Sequence, residues 1–93
     1  MLYHISIHTP KPEHIDDVLA SMHRFGNATR TQAGLREVHT LRDRRSATLV
    51  GLAVWDSIAH LTAARPALGA ATEGDDFDAW EDAPIRSLLL EEA

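Results

Sequence analysis

Tyr3, Ile5 and Ile7 alternate with Leu2, His4, Ser6 and His8, which predicts a strand over 2–8 with one strongly apolar side. Thr9-Pro10-Lys11-Pro12 ends it, because two prolines cannot continue a ladder. Ile15, Val18, Leu19, Met22 and Phe25 then recur at three- and four-residue spacing, the signature of an amphipathic helix from Glu13 to Gln32. Glu13, Asp16 and Asp17 in its first turns and Arg30 near its end suit the helix dipole, and Gly34 supplies the stop. Leu35 to Arg42 reads as a second, more polar strand at a sheet edge. The short turn Asp43–Ser46 joins it to a third strand, Ala47 to Trp55, as an antiparallel hairpin. That third strand is apolar on both faces, Leu49, Gly51, Ala53 and Trp55 against Thr48, Val50, Leu52 and Val54, so both faces are expected to be covered. Ser57 is an N-cap for a helix carrying Ile58, Leu61 and Leu68, which Pro66 is expected to kink or split. The small and acidic stretch from Gly69 to Asp82 predicts loop with at most a helical turn, and Ile85 to Glu91 predicts a fourth strand.

The order βαββαβ is the ferredoxin-like α+β unit, a four-stranded antiparallel sheet with two helices on one face. Strands one and three are then central. The face without helices is expected to include Val50, Leu52 and Val54, with Leu2 and part of Leu88–Leu90. An apolar face of that size is usually an interface, and a second copy stacked across a two-fold axis is its simplest cover. A homodimer joined through the sheet is therefore expected.

At 93 residues, the expectation is one domain spanning 1–93. There is no cysteine, which excludes disulfides and thiolate metal sites and fits a reducing cytoplasm, the expected location. Met1 to His8 lacks a basic region followed by a long apolar run, so no secretory signal is expected. No apolar run approaches the roughly 20 residues of a membrane span. Fourteen acidic against nine basic residues give a net charge of −5. That charge disfavours nucleic acid, since the one basic cluster, Arg42, Arg44 and Arg45, is short and brackets a turn. Six histidines make the charge pH-sensitive. His4 and His8 share a face but stand roughly 13 Å apart on an extended strand, too far for one zinc. His14, His23 and His60 fall on helices at positions expected to be exposed, so no metal site is expected. No phosphate loop, nucleophile elbow, paired-carboxylate motif or dinucleotide fingerprint is present, and no cofactor is expected.

Leu49 to Ser57, LVGLAVWDS, is the most specific stretch: an apolar third strand ending in tryptophan, then Asp56-Ser57 and a helix. Together with Ala33-Gly34-Leu35 at the entry to strand two, it resembles the antibiotic biosynthesis monooxygenase-like domains of the dimeric α+β barrel superfamily, over nearly the whole chain. The resemblance implies a substrate or haem cavity between sheet and helices, with Trp55 against the bound ring; the plainer reading has Trp55 plugging the end of the core. Gly51 and Ala53 share its face and leave space beside it, and Ile5 is expected to join them in contacting substrate. Tyr3, expected on the helix side, offers a hydroxyl, and His39, alternating with Leu35 and Leu41, is the candidate general base. Haem-degrading relatives carry an asparagine in strand one and a histidine late in the second helix; strand one here has no asparagine, and His60 lies in the first turn of its helix. The leading expectation is a cofactor-independent monooxygenase for an electron-rich phenol- or quinol-type ring. A non-catalytic small-molecule-binding or accessory protein, and a haem-binding or haem-degrading relative, are the alternatives. The residues leave open whether the chain is an enzyme at all.

Overall fold

Residues 1–93 are described by the computed structural model, in which the chain runs β1 (Leu2–His8), a 3₁₀ turn (Pro12–His14), α1 (Ile15–Arg30), β2 (Leu35–Arg42), β3 (Leu49–Trp55), α2 (Ile58–Ala71), α3 (Phe77–Trp80) and β4 (Arg86–Leu90). The four strands form one antiparallel sheet in the order β2-β3-β1-β4, the ferredoxin-like arrangement, with the wholly apolar β3 beside β1 in the middle. β1 and β2 have the boundaries that alternation predicts. β3 starts later than expected because the turn reaches Thr48: Asp43 accepts from the Arg45 N–H and the Ser46 hydroxyl, and its own N–H donates to the Thr48 carbonyl. Those donors hold the Asp43 carboxyl below its usual range.

Helix α2 passes through Pro66 without a break, so the expected split does not occur. The residues around it are mostly alanine, strong helix formers, and Leu61, Ala64 and Leu68 are buried against the sheet. Pro66 itself is exposed, which leaves the carbonyl it cannot bond within reach of water. Ser57 caps the helix by accepting the His60 N–H. Its hydroxyl also lies 2.8 Å from His60 Nδ1, and the ring packs over Gly34. A side chain at position 34 would meet that ring at 2.2 Å, and Gly34 has φ +84°, so glycine is required there on both counts. His60 and His14 are half-buried, against the expected exposure; His23 is exposed.

The core has two centres on the helix side of the sheet. Trp55, fully buried, packs with Ala53, Leu61, Ala64 and Leu68 at one end; Val18, Met22 and Leu49 pack at the other. Register then assigns every strand residue to a face. Leu2, His4, Ser6 and His8 pair with Trp55, Ala53, Gly51 and Leu49, and so point toward the helices. Tyr3, Ile5 and Ile7 pair with Val54, Leu52 and Val50 and point away. This corrects two expectations: Tyr3 and Ile5 lie on the open face, whereas Leu2 packs against the core. Hydrophobicity misled here because β3 is apolar on both faces and the apolar set of β1 lies on the open face, so the more apolar set is not thereby the inner one.

Candidate functional site

Three rows of side chains cross the helix side of the sheet between the two core centres. Thr40, Gly51, Ser6 and Ser87 form one; Val38, Ala53, His4 and Leu89 form the next; Leu49 and His8 lie in the third. Glycine, alanine and serine at the centre leave a hollow, and α1 roofs it with Met22, Phe25 and Gly26 while Phe77 of α3 closes an end. A Cβ at Gly51 would stand 3.7 Å from Met22 Cε, which is ordinary contact, so space and not strain is what glycine provides there. The resulting cavity holds about 170 Å³ and opens to solvent. That suits one aromatic ring, since a dry cavity of roughly 150 Å³ accepts benzene.

Two histidines bring chemistry to this hollow. His4 Nε2 lies 3.2 Å from the Ser87 hydroxyl, and burial, with a smaller effect of the Arg65 guanidinium, holds the imidazole below its ordinary pKa. At neutral pH it is therefore an uncharged hydrogen-bonding group. Because the folded chain holds this proton more weakly than the unfolded one, His4 makes stability decline as pH falls below about 6.5. The His4 ring protons are expected to titrate below that value in NMR spectra, and His4→Gln should flatten the acid side of the stability curve. A midpoint at or above 6.5 would remove the argument.

His8 is the more enclosed of the two. Its Nδ1 lies 2.7 Å from Glu81 Oε2, and both residues are 7% exposed. The other Glu81 oxygen accepts the Thr9 N–H at 2.7 Å. Two backbone bonds, Lys11 N–H to the Trp80 carbonyl and Asp82 N–H to the Thr9 carbonyl, both 2.8 Å, strap the segment after β1 to the segment after α3. The single turn of α3 exists where Asp76 caps it, and it delivers Phe77 against the His8 ring, 6.0 Å between centroids, and Glu81 to its Nδ1. On the neighbouring wall, Asp75 accepts from the Ser21 hydroxyl at 2.5 Å and from Arg24 at 2.6 Å, which ties the loop after α2 to α1.

Of the residues singled out in the sequence, Gly51 and Ala53 line the cavity. Trp55 does not: it is 0% exposed within the core, and its indole N–H has no acceptor. Ile5 and Tyr3 lie beneath the sheet, where the Tyr3 hydroxyl donates to Glu92 at 2.8 Å and that carboxylate raises the phenol's pKa. His39 borders the cavity through its strand, but pairing with Leu52 directs its ring to the open face, 3.2 Å from Glu37. Simple alternation with Leu35 would place His39 on the inner side, but the bulge at Arg36 shifts the alternation of β2 by one after Leu35. His4, Ser6, His8 and Glu81 are the polar groups the sequence did not bring forward. The first three were legible as soon as β1 was paired with β3 in register; Glu81, far along the chain in an acidic run, carried no signal.

No family model matches the sequence, and no curated protein matches it. Solved structures do match in fold. Rv0793 from Mycobacterium tuberculosis is 17% identical, with a TM-score of 0.86 over 99% of this chain and 94% of that one. An antibiotic biosynthesis monooxygenase is 21% identical, with a TM-score of 0.70 over 100% and 99%. SnoaB, a cofactor-independent oxygenase from Streptomyces nogalater, is 19% identical, with a TM-score of 0.74 over 98% and 91%.

Proposed function

We propose, from the premise that this chain has the fold of the antibiotic biosynthesis monooxygenase-like proteins, that it is a homodimeric, cofactor-independent oxygenase for a small electron-rich phenol or quinol. The observation that carries this reading is the cavity of about 170 Å³ between sheet and helices, apolar on its walls and polar along one row of its floor. Met22, Phe25 and Phe77 hold a flat ring and exclude water, while Ser6, Thr40 and His4 supply the hydrogen bonds that orient its oxygens. A phenol in such a site provides its own electrons: one oxygen atom of O₂ remains on the ring as a carbonyl and the other leaves as water. The protein's contribution is to hold the ring, remove its hydroxyl proton and keep the anion dry. The role first expected of Trp55 passes in this reading to Phe25 and Phe77, and that of Ile5 to Ser6.

Oxygen uptake by chelator-treated protein tests it. One-ring hydroquinones and catechols should be consumed above their own autoxidation, and three-ring anthrones, too large for the cavity, should not. Gly51→Leu fills the floor and should raise KM at least about tenfold without unfolding the chain, the order of effect that a few methylenes have in an apolar pocket. Absence of uptake across the panel removes the oxygenase reading; saturable binding of the same compounds without uptake leaves a binding protein.

A further inference from the structure

Glu81 is a carboxylate placed where few survive: 7% exposed, with no lysine or arginine against it. Its partners are the Thr9 N–H and His8 Nδ1. A buried carboxylate with two N–H donors lacks the countercharge that usually accompanies it. His8 is the one group in contact that can become that countercharge. In the uncharged ring, Nδ1 carries the hydrogen given to Glu81, so Nε2 carries the lone pair, and Nε2 has no partner within the protein although His8 lines the cavity. The base is thus held in one tautomer by a carboxylate behind it and presents its free nitrogen to the space where a ligand sits.

We propose that His8 and Glu81 are the proton-accepting pair of this cavity, and that its ligand is a one-ring compound with an acidic hydroxyl, bound as the anion. In the step, the ligand's O–H bond breaks, the proton passes to His8 Nε2 and the electron pair stays on the ligand oxygen. Nδ1–H remains donated to Glu81, whose negative charge the new imidazolium balances. The inference rests on the cavity being a ligand site and is independent of what oxygen does there afterwards.

The test uses 4-nitrophenol, a one-ring phenol that resists oxidation and whose anion alone absorbs in the visible. It is added without oxygen, at a pH where about nine-tenths of the free probe is uncharged. Wild-type protein is expected to bind it with the anion spectrum, about a hundredfold shift in its ionisation ratio. His8→Gln keeps an amide donor for Glu81 but accepts no proton, and Glu81→Gln removes the countercharge; each should bind the probe in its uncharged form while far-UV circular dichroism stays native. A neutral bound spectrum in wild type, an anion spectrum that survives His8→Gln, or no saturable binding overturns the pair. The oxygenase reading fails separately, by inert oxygen beside an intact anion band, and the pair fails alone if uptake persists without that band.

Discussion

Trp55→Ala is expected to remove a large part of the domain's stability, and not to enlarge the cavity. The side chain is 0% exposed, packed against Leu61, Ala64, Leu68 and Ala53, and absent from the cavity wall. Truncating a buried tryptophan costs about 3–5 kcal/mol, against about 5–15 kcal/mol for an entire small domain. Trp55→Phe should cost clearly less, since it keeps a ring and also removes the indole N–H, a buried donor without an acceptor whose desolvation costs about 1–3 kcal/mol. Urea unfolding of the three proteins measures both differences. An alanine variant that unfolds with the wild-type midpoint yet no longer binds ligand would return Trp55 to the site and displace the core role argued for it.

Val50→Lys is expected to turn a dimer into a folded monomer. Val50 stands on the face away from the helices, between Ile7 of β1 and Leu41 of β2, and the same face carries Ile5, Leu52, Leu88 and Leu90. Leu41 and Leu90 are 46% and 42% exposed, a costly display unless another copy covers it. In a single chain Val50 is only half-buried, so a lysine there can extend its ammonium into water. In a sheet-to-sheet dimer the same ammonium is sealed in without a partner. Light scattering should therefore report twice the 10.3 kDa chain for wild type and a single chain for the variant, with unchanged helix and strand content. A wild-type monomer at micromolar concentration ends the proposal, and so does a variant that stays dimeric.

The fold was readable because its signals are local: alternation in β1, helical spacing in α1, a hairpin turn at Asp43 and a cap at Ser57. What could not be read locally was orientation. β1 is apolar at Tyr3, Ile5 and Ile7 and polar at His4, Ser6 and His8, yet the polar set faces the helices. The sheet is apolar on the face that packs its core and also on the open face of β3 and β1, and the polar groups of the hollow take positions that a core would otherwise fill. The same holds for α3, whose four residues follow from the strap to Thr9 and Lys11 more than from any helical pattern of their own.

The bond between His8 and Glu81 spans 73 positions of sequence. β2 and β3 need only close a short turn to find each other, but β1 must wait for β3, and the dyad must wait for nearly everything. Non-local pairing of this kind slows folding, because loop closure precedes any gain from contact. On a ribosome, β1 emerges with its apolar residues unpartnered while the hairpin is still being made. The His8–Glu81 bond is thus acquired late, ahead of β4 alone, and until then the earliest strand is the one exposed to wrong partners.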